Sequence, residues 1–457
     1  MRMTKKHLET IKTILLNVLV ILSLVLTWQI WTFEEDYEKE TTPTENKTVG
    51  VKEVDLNQVI KPNQVVFHQD DRHFTSFERK TIDSYYTDFI SGTRVKSVMM
   101  VDNIDSLVNR NESIEFVFPT SLSNDVLKSL VSVAKGDIPL EVFDRIIIPS
   151  AQSGKNNEVI FLNSSNQNGM RATVDVSSDM KAWFSDNFST LESSESKVTR
   201  ARSYQISDNT PVFYLPTNEI QMKSYRVSTD ELTNIDSFIT ALFPDENAVE
   251  ENTVINSSSL YTDGSRDLKY DKPSDYMVFQ NPSSTSSNFV ANEAPIMNAY
   301  GFINKHFGFQ VSDPNDDYFL SEWVTSSKTK TDRITFRLNT QGYPVFSPSQ
   351  DDLDEIVVTL KNNEISTYKR MLKVIQYAND TDTSNIPSYD EVISLLDEGN
   401  FKKNAITNFT IGYTITPNRS DSLYDDYEIV PQWYIKLNQT WTPLQNVDQG
   451  GDDIGLE

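Results

Sequence analysis

The chain has 457 residues, a formal net charge of −25 and no cysteine. Without a thiol it has neither a cysteine nucleophile nor a thiolate-bound metal site, and its negative charge argues against nucleic acid as a partner because phosphates would be repelled. The length is sufficient for two or three folded domains.

An uncharged apolar run from Thr13 to Trp31 is the first predicted element. As a helix it would rise ~1.5 Å per residue and reach roughly 29 Å, about the thickness of a bilayer core. A secretory signal has a shorter apolar region followed by small residues at a cleavage site, and no such site follows here. The run therefore predicts an uncleaved transmembrane helix over residues 13–31 rather than a removed signal peptide.

The charges on either side of this helix predict its orientation. Residues 1–12 carry four basic side chains and one acid, whereas residues 32–62 begin with a strongly acidic stretch. Basic residues are retained on the cytoplasmic side of a membrane. We therefore expect a cytoplasmic leader at 1–12, an acidic stalk at 32–62, and a single-pass protein of the cell membrane whose bulk is extracytoplasmic.

One face of the predicted helix is a candidate for contact with another transmembrane helix. At 100° per residue, five side chains fall within an arc of about 80°, namely Asn17, Val20, Leu24, Thr27 and Trp31. An asparagine in lipid gains roughly 0.6 to 2 kcal/mol from a hydrogen bond to a neighbouring helix. The alternative interpretation is that Asn17 is tolerated through snorkelling or local water. This face is the only interaction site that the sequence predicts.

Residues 63–200 are predicted to form a first extracytoplasmic α+β domain. Its elements follow from apolar periodicity, which repeats every two residues in strands and every three to four residues in helices. The predicted strands are 94–101, 113–118, 144–149 and 158–162, and the predicted helices are 123–134 and 178–188.

Two later domains are predicted at residues 201–285 and 286–446, followed by a disordered acidic tail at 447–457. Each shows a helical pattern followed by strand-like runs, so we expect two α+β domains of similar helix-plus-antiparallel-sheet build. Three helices are predicted here: one that begins at Ser228, one over 290–307 and one over 391–396. The predicted strands are 221–227, three short runs between 253 and 279, 317–324, 332–338, 355–372, 406–415 and 427–437.

No motif for catalysis is complete. Ser132 and Lys135 match the S-x-x-K element of a serine hydrolase, but the chain contains no K-[ST]-G, which this mechanism also requires. His68 and His73 are five residues apart, not the four of a zinc-binding helix, and we interpret them as surface or stalk-proximal histidines. The sequence therefore predicts no catalytic residue, no metal site and no cofactor, and we expect that the protein is not an enzyme.

Three C-terminal stretches resemble the YycH (WalH) family of low-GC Gram-positive bacteria. They are LNTQGYPVF at 338–346, TIGYTI at 410–415 and VPQWYIKLNQTW at 430–441. The resemblance implies an accessory regulator of the YycG/WalK sensor histidine kinase, which governs cell-wall metabolism. It also implies a second single-span protein, similar to YycI, as a partner, with contacts among transmembrane helices setting kinase activity.

Two hypotheses of different classes follow. In the first, the chain is a membrane-anchored, non-enzymatic regulator that acts through helix packing. In the second, it is an extracytoplasmic binding or cell-wall processing protein that uses the helix only as a tether. A homo-oligomer is compatible with both. Exchanging the helix for an unrelated anchor would preserve function only under the second hypothesis.

Overall fold

The chain divides into two units, Met1–Asn46 and Lys47–Glu457. The computed structural model describes residues 15–23, 53–101, 112–133, 138–150, 157–175, 186–193, 196–207, 210–253, 258–282, 294–348, 354–399, 401–417 and 426–444. In the first unit these residues form a helix over 15–23 with exposed side chains. Within the described ranges, no helix has both the length and the apolar character to cross a membrane.

Ten strands of the second unit form one sheet. They are β1 (Gln64–Gln69), β2 (Arg72–Ser76), β3 (Arg94–Val101), β4 (Glu112–Ser123), β5 (Ser132–Val133), β6 (Val142–Pro149), β7 (Glu158–Asn163), β8 (Asn168–Asp175), β9 (Thr199–Gln205) and β10 (Val212–Pro216). Their spatial order is β10-β9-β2-β1-β4-β6-β7-β8-β3-β5. All neighbours pair antiparallel except β3 and β5, which share a short parallel contact.

The remaining described strands form a second sheet of fourteen strands. They are β11 (Ile220–Glu231), β12 (Glu250–Thr253), β13 (Ser258–Thr262), β14 (Asp267–Asp271), β15 (Tyr276–Gln280), β16 (Asp317–Ser326), β17 (Thr331–Thr340), β18 (Tyr343–Phe346), β19 (Glu355–Lys361), β20 (Glu364–Met371), β21 (Lys373–Ile386), β22 (Ile406–Pro417), β23 (Asp426–Leu437) and β24 (Thr440–Pro443). Their order is β12-β13-β14-β15-β20-β19-β17-β18-β22-β23-β11-β21, with β16 paired to β17 and β24 paired to β23.

Short helices pack on these sheets. In the second unit they are Leu56–Val59, Arg79–Gly92, Asn124–Leu130, Ile235–Leu242, Pro295–Lys305 and Tyr389–Glu398, with a helical turn at 186–189 and 3₁₀ turns at Glu246–Ala248 and Lys403–Ala405. The ring of Tyr86 contacts Phe116 and Phe118 at centroid distances of 5.4 and 5.9 Å, which fixes one helix on the first sheet. The described structure is mixed α+β and mostly sheet, which confirms the predicted α+β class.

The segments before and after residue 201 share one hydrophobic core. Phe77 and Trp433 meet edge to face with centroids 5.3 Å apart, and the ammonium of Lys61 lies 2.7 Å from Asp83 and 2.9 Å from Asp317. Strands β9 and β10 join the first sheet, although they extend beyond the boundary predicted at residue 200. The predicted division into three extracytoplasmic domains stays a prediction.

Two helices differ from the prediction at an end. The helix predicted over 123–134 ends at Leu130, because Val131 is extended and Ser132 already pairs with Arg94 of β3. The helix predicted from Ser228 begins only at Ile235, since Ser228 belongs to β11 and pairs with β21 on one side and β23 on the other. In both cases strand pairing prevails over local apolar periodicity.

The helix predicted over 290–307 spans Pro295–Lys305 where the structure describes it. Pro295 stands in its first turn, where the missing N–H costs no hydrogen bond. Phe307 has a φ of 65°, which is incompatible with a continuing right-handed helix. Of the helix predicted over 178–188, only 186–188 lies within the described residues, and these are helical.

Candidate functional site

The predicted helix face is described only in part. Asn17 and Val20 lie in the helix 15–23, three residues apart and therefore on the same side, and both are exposed. Leu24, Thr27 and Trp31 lie outside the described residues. The helix–helix contact of this face stays a prediction.

A cleft in the second sheet is the strongest candidate for a binding site in the described part of the chain. It has a volume of about 280 Å³ and is formed by β16 to β19 on one side and by β23 and β24 on the other. Its lining residues are Glu322, Arg333, Arg337, Phe346, Ser347, Pro348, Asp354, Glu355, Tyr434, Thr440, Trp441 and Pro443.

The floor of the cleft is organised by the buried guanidinium of Arg337. This group forms ion pairs with Asp354 and Glu355, and it also donates to the carbonyl of Val345 at 3.0 Å and to Ser321 Oγ at 3.3 Å. Arg337 donates from all three of its nitrogens to these four acceptors. With four of its five N–H groups bonded to the protein, this guanidinium holds neighbouring strands in place.

At the rim of the cleft, the polar contacts are longer than those that Arg337 makes at the floor. The Arg333 side chain is 49% exposed, and its guanidinium lies 3.4 Å from Glu322 and 3.8 Å from Glu355. Burial raises the pKa of Glu322, even though Arg337 and Lys436 oppose the shift. Arg333 is the exposed polar group of the rim, whereas the side chains of Glu322 and Glu355 are only 8% and 14% exposed and Glu355 also pairs with Arg337.

Three aromatic rings, from β18, β23 and β24, form an aromatic wall of the cleft. Phe346 stacks on Tyr434 with centroids 3.8 Å apart, and the ring of Trp441 is 5.8 Å from that of Phe346. The guanidinium of Arg337 lies 4.4 Å from the centre of the Phe346 ring. Trp441 is only half-buried, and its indole nitrogen donates to Ser321 Oγ at 3.2 Å, which fixes the orientation of the ring.

Behind the aromatic wall lies the buried ammonium of Lys436. It donates to the carbonyls of Pro119 and Ser321 at 2.8 and 3.3 Å, and it lies 5.5 Å from the centre of the Trp441 ring. Burial lowers the pKa of Lys436 to about 8. At neutral pH this cation offsets part of the negative charge of the cleft carboxylates.

Two glycines allow the strands of the cleft to come together. Gly342 has a φ of +86° in the turn between β17 and β18, a conformation that favours glycine. At Gly412 of β22, a methyl group would lie 2.5 Å from the Phe346 ring and 2.7 Å from the carbonyl oxygen of Pro344. The stretches 338–346, 410–415 and 430–441, which carry the family resemblance, thus meet at the cleft and its supporting strands.

A second polar cluster crosses the first sheet. Nδ1 of His68 lies 3.0 Å from Nδ1 of His73, and Nε2 of His68 lies 3.0 Å from Glu115, which in turn accepts from Arg145. His68, Glu115 and Arg145 are buried, and His73 is half-buried. The interpretation of His68 as a surface histidine is therefore wrong, because the β1–β2 hairpin places it opposite His73 and against β4.

The carboxylate of Glu115 is the centre of this cluster. Burial by itself would raise the pKa of Glu115, but the charge of Arg145 and the hydrogen bond from His68 outweigh it and hold the pKa at about 2. Tyr214 packs against both histidine rings at centroid distances of 4.9 Å. The sequence signal that could have revealed the pair is the turn Asp70-Asp71, flanked by the two histidines at equal distance.

The fold and the cleft define a sheet-rich, mixed α+β protein with a small candidate binding site. Two family models match it, described as YycH protein, N-terminal domain, over residues 9–193, and YycH protein, C-terminal domain, over residues 210–451. The second model alone covers more than half of the chain. The chain belongs to the YycH family, which confirms the resemblance that the sequence indicates.

Two comparisons with individual proteins agree with this assignment. The "Two-component system WalR/WalK regulatory protein YycH" of Bacillus subtilis (strain 168) is 23% identical over 98% of this chain and 99% of its own length. The crystal structure of YycH from Bacillus subtilis matches with a TM-score of 0.66 and 16% identity, over 87% of this chain and 99% of that chain. The structural match supports the fold.

Proposed function

We propose that this protein is a non-enzymatic regulator of a two-component system of the WalR/WalK kind. The observation that carries the proposal is the match to Bacillus subtilis YycH along nearly the whole of both chains, because that relative is named as a WalR/WalK regulatory protein. Both the N-terminal and the C-terminal family models match as well, so the shared region is not limited to one part of the chain.

In this proposal the chain is anchored in the cell membrane by a single helix over residues 13–31, with the N-terminus in the cytoplasm. The uncharged run and the basic residues before it support this placement. The helical segment 15–23 also supports it, because apolar side chains such as Leu16 and Ile21 are more than half exposed there, as expected for a surface that faces lipid.

The proposed partners are the sensor histidine kinase and a YycI-like single-span protein, both contacted within the membrane. Lipid tails are as apolar as leucine, so helices associate in a bilayer through close packing and hydrogen bonds between helices. Asn17 offers such a hydrogen bond, and Thr27 lies on the same predicted face. The proposal therefore assigns the contact to the face formed by Asn17, Val20, Leu24, Thr27 and Trp31.

The proposal is tested in a strain that lacks this protein and carries a reporter for the cognate response regulator. We expect that the full chain restores reporter output and that Asn17→Leu or Thr27→Leu shifts this output by at least roughly threefold, since the lost hydrogen bond is worth about 0.6 to 2 kcal/mol. Gln29→Leu is the matched control, because it makes the same kind of polar-to-leucine change on the opposite face of the helix.

Membrane insertion and abundance of each variant are measured by fractionation and immunoblotting. If the variants of Asn17 and Thr27 match Gln29→Leu in reporter output at equal abundance, the proposed helix contact is wrong. If the reporter does not respond to deletion and restoration of the whole chain, the proposed regulatory function itself is wrong.

The second candidate function is an extracytoplasmic binding protein for which the helix is only a tether. The specific observation that favours it is the cleft of about 280 Å³ with a half-exposed guanidinium at its rim. If an unrelated anchor in place of residues 13–31 leaves the reporter output unchanged, this candidate is favoured over control through the helix.

A further inference from the structure

We propose that the cleft between β16–β19 and β23–β24 binds a carbohydrate, with one pyranose ring held between Trp441 and the Arg333–Glu322 rim. The cleft volume of about 280 Å³ is just below the range of ordinary small-molecule sites, which begins at roughly 300 Å³. A space of this size suits a single ring of a glycan whose neighbouring residues extend into solvent. The proposal goes beyond the regulatory function and does not depend on it.

The charge balance of the cleft favours a neutral ligand. Its acidic groups are Glu322, Asp354 and Glu355, and its basic groups are Arg333, Arg337 and, behind the wall, Lys436. The formal charges of these six groups add up to zero, although the whole chain carries −25. A cleft that is locally neutral in an acidic protein attracts neither cations nor anions strongly.

The hydrogen-bonding groups at the rim fit adjacent hydroxyls. Arg333 presents planar N–H donors at the rim, and the carboxylates of Glu322 and Glu355, which lie 3.4 and 3.8 Å from its guanidinium, are acceptors in the cleft lining. A hydroxyl both donates and accepts, so neighbouring hydroxyls can bond to a guanidinium and a carboxylate together. An ammonium ligand would use only the carboxylates, and a carboxylate ligand only the arginine.

The aromatic wall supplies the apolar part of the recognition. A pyranose ring has one face lined with C–H groups, and such a face packs on an aromatic ring. Trp441 is half-buried and held in place by its hydrogen bond to Ser321, so its ring needs no ordering when a ligand arrives. Phe346 and Tyr434, which are stacked on each other, complete the aromatic wall beside Trp441.

The test is a ligand-observed NMR titration of the full-length protein in a detergent without a sugar headgroup. The probes are chitotetraose and maltotetraose, which both present pyranose rings with adjacent polar groups, and lysine serves as a charged comparison. We expect saturable binding of at least one tetrasaccharide and none of lysine.

Arg333→Gln should weaken this binding by about tenfold or more, because it removes charge-assisted hydrogen bonds. Arg202→Gln is the matched control, since the Arg202 side chain is 50% exposed, pairs with Asp390, and is not among the residues that line the cleft. It should change the affinity less than twofold. Thr440→Trp tests the site independently, because Thr440 is exposed at the cleft and a larger side chain there should block it without removing a contact.

Thermal unfolding confirms that each variant is folded before it is titrated. The proposal is overturned if neither tetrasaccharide binds, if Arg333→Gln and Thr440→Trp bind as tightly as the natural protein, or if lysine binds in the cleft instead. The titration contains no kinase, so its failure would leave the proposed regulatory function standing.

Discussion

At the scale of single residues, buried charged side chains in this protein are linked to one another by hydrogen bonds and ion pairs. Glu115 contacts both Arg145 and His68, and His68 in turn contacts His73. The two Nδ1 atoms of the histidines face each other, so one must be protonated and donate while the other accepts. Burial, together with the neighbouring His68, lowers the pKa of His73 to about 4.

This cluster predicts a loss of stability in mild acid. The unfolded chain protonates His73 near its ordinary pKa of 6.5, whereas the folded chain does so only near 4, so acidification between these values favours unfolding. After a discount for the partial exposure of His73, we expect a loss of about 1 kcal/mol from this group between pH 7 and pH 5. Urea unfolding at both pH values measures it.

His73→Gln is the informative variant, since an amide can still bond to His68 but does not titrate. Its free energy of unfolding should change less between pH 7 and pH 5 than that of the natural protein. Equal pH dependence in the two proteins would show that His73 does not contribute to the loss of stability in mild acid. The carboxylate of Glu115, with its pKa of about 2, adds a further loss only below its ordinary pKa of 4.5.

At the scale of elements, many strands were predictable, but others such as β1, β2 and β21 were missed, and the run predicted over 355–372 is two strands, β19 and β20. The predicted strands 332–338 and 427–437 coincide with observed strands, and their apolar pattern largely matches their burial. Residues 94–101 also form a strand, although Val95 is buried there while Met99 and Met100 are exposed. The helix predicted from Ser228 has the right apolar face but begins too early. Its first turn is instead paired to β21 and β23, which are distant in sequence and therefore invisible to a local pattern.

The close approach of β18 and β22 gives a prediction at this scale. Gly412→Ala should lower the free energy of unfolding by about 1–3 kcal/mol, because the new methyl group would overlap the Phe346 ring and the carbonyl oxygen of Pro344. Gly301→Ala is the control, since it lies within the helix Pro295–Lys305 with open space around it. That change should be neutral or stabilising by up to ~1 kcal/mol.

Chemical denaturation of the two variants beside the natural protein measures both effects. If Gly412→Ala is as stable as Gly301→Ala, then β22 can move away from Phe346 without lowering the free energy of unfolding. The aromatic wall of the cleft would then be less rigid than its packing indicates.

At the scale of the whole molecule, the α+β class and the family were accessible from sequence, whereas the cleft was not. Its lining comes from positions between Glu322 and Pro443, and only the pairing of β16 with β17, β17 with β19 and β23 with β24 brings them together. The family resemblance marked stretches 338–346 and 430–441 without indicating that they share a surface. Sequence periodicity reports one element at a time, and a site made by several strands needs the register of each.

The proposed regulation of a kinase through the N-terminal helix is tested most sharply with that helix alone. Met1 to Phe33, with a neutral tag, is expressed in the strain lacking the protein, and the reporter output is compared with that of the full chain at equal membrane abundance. We expect that this fragment restores a substantial part of the output. A fragment that is inserted in the membrane but leaves the reporter at the level of the deletion strain would contradict it and move the contact to residues beyond 33.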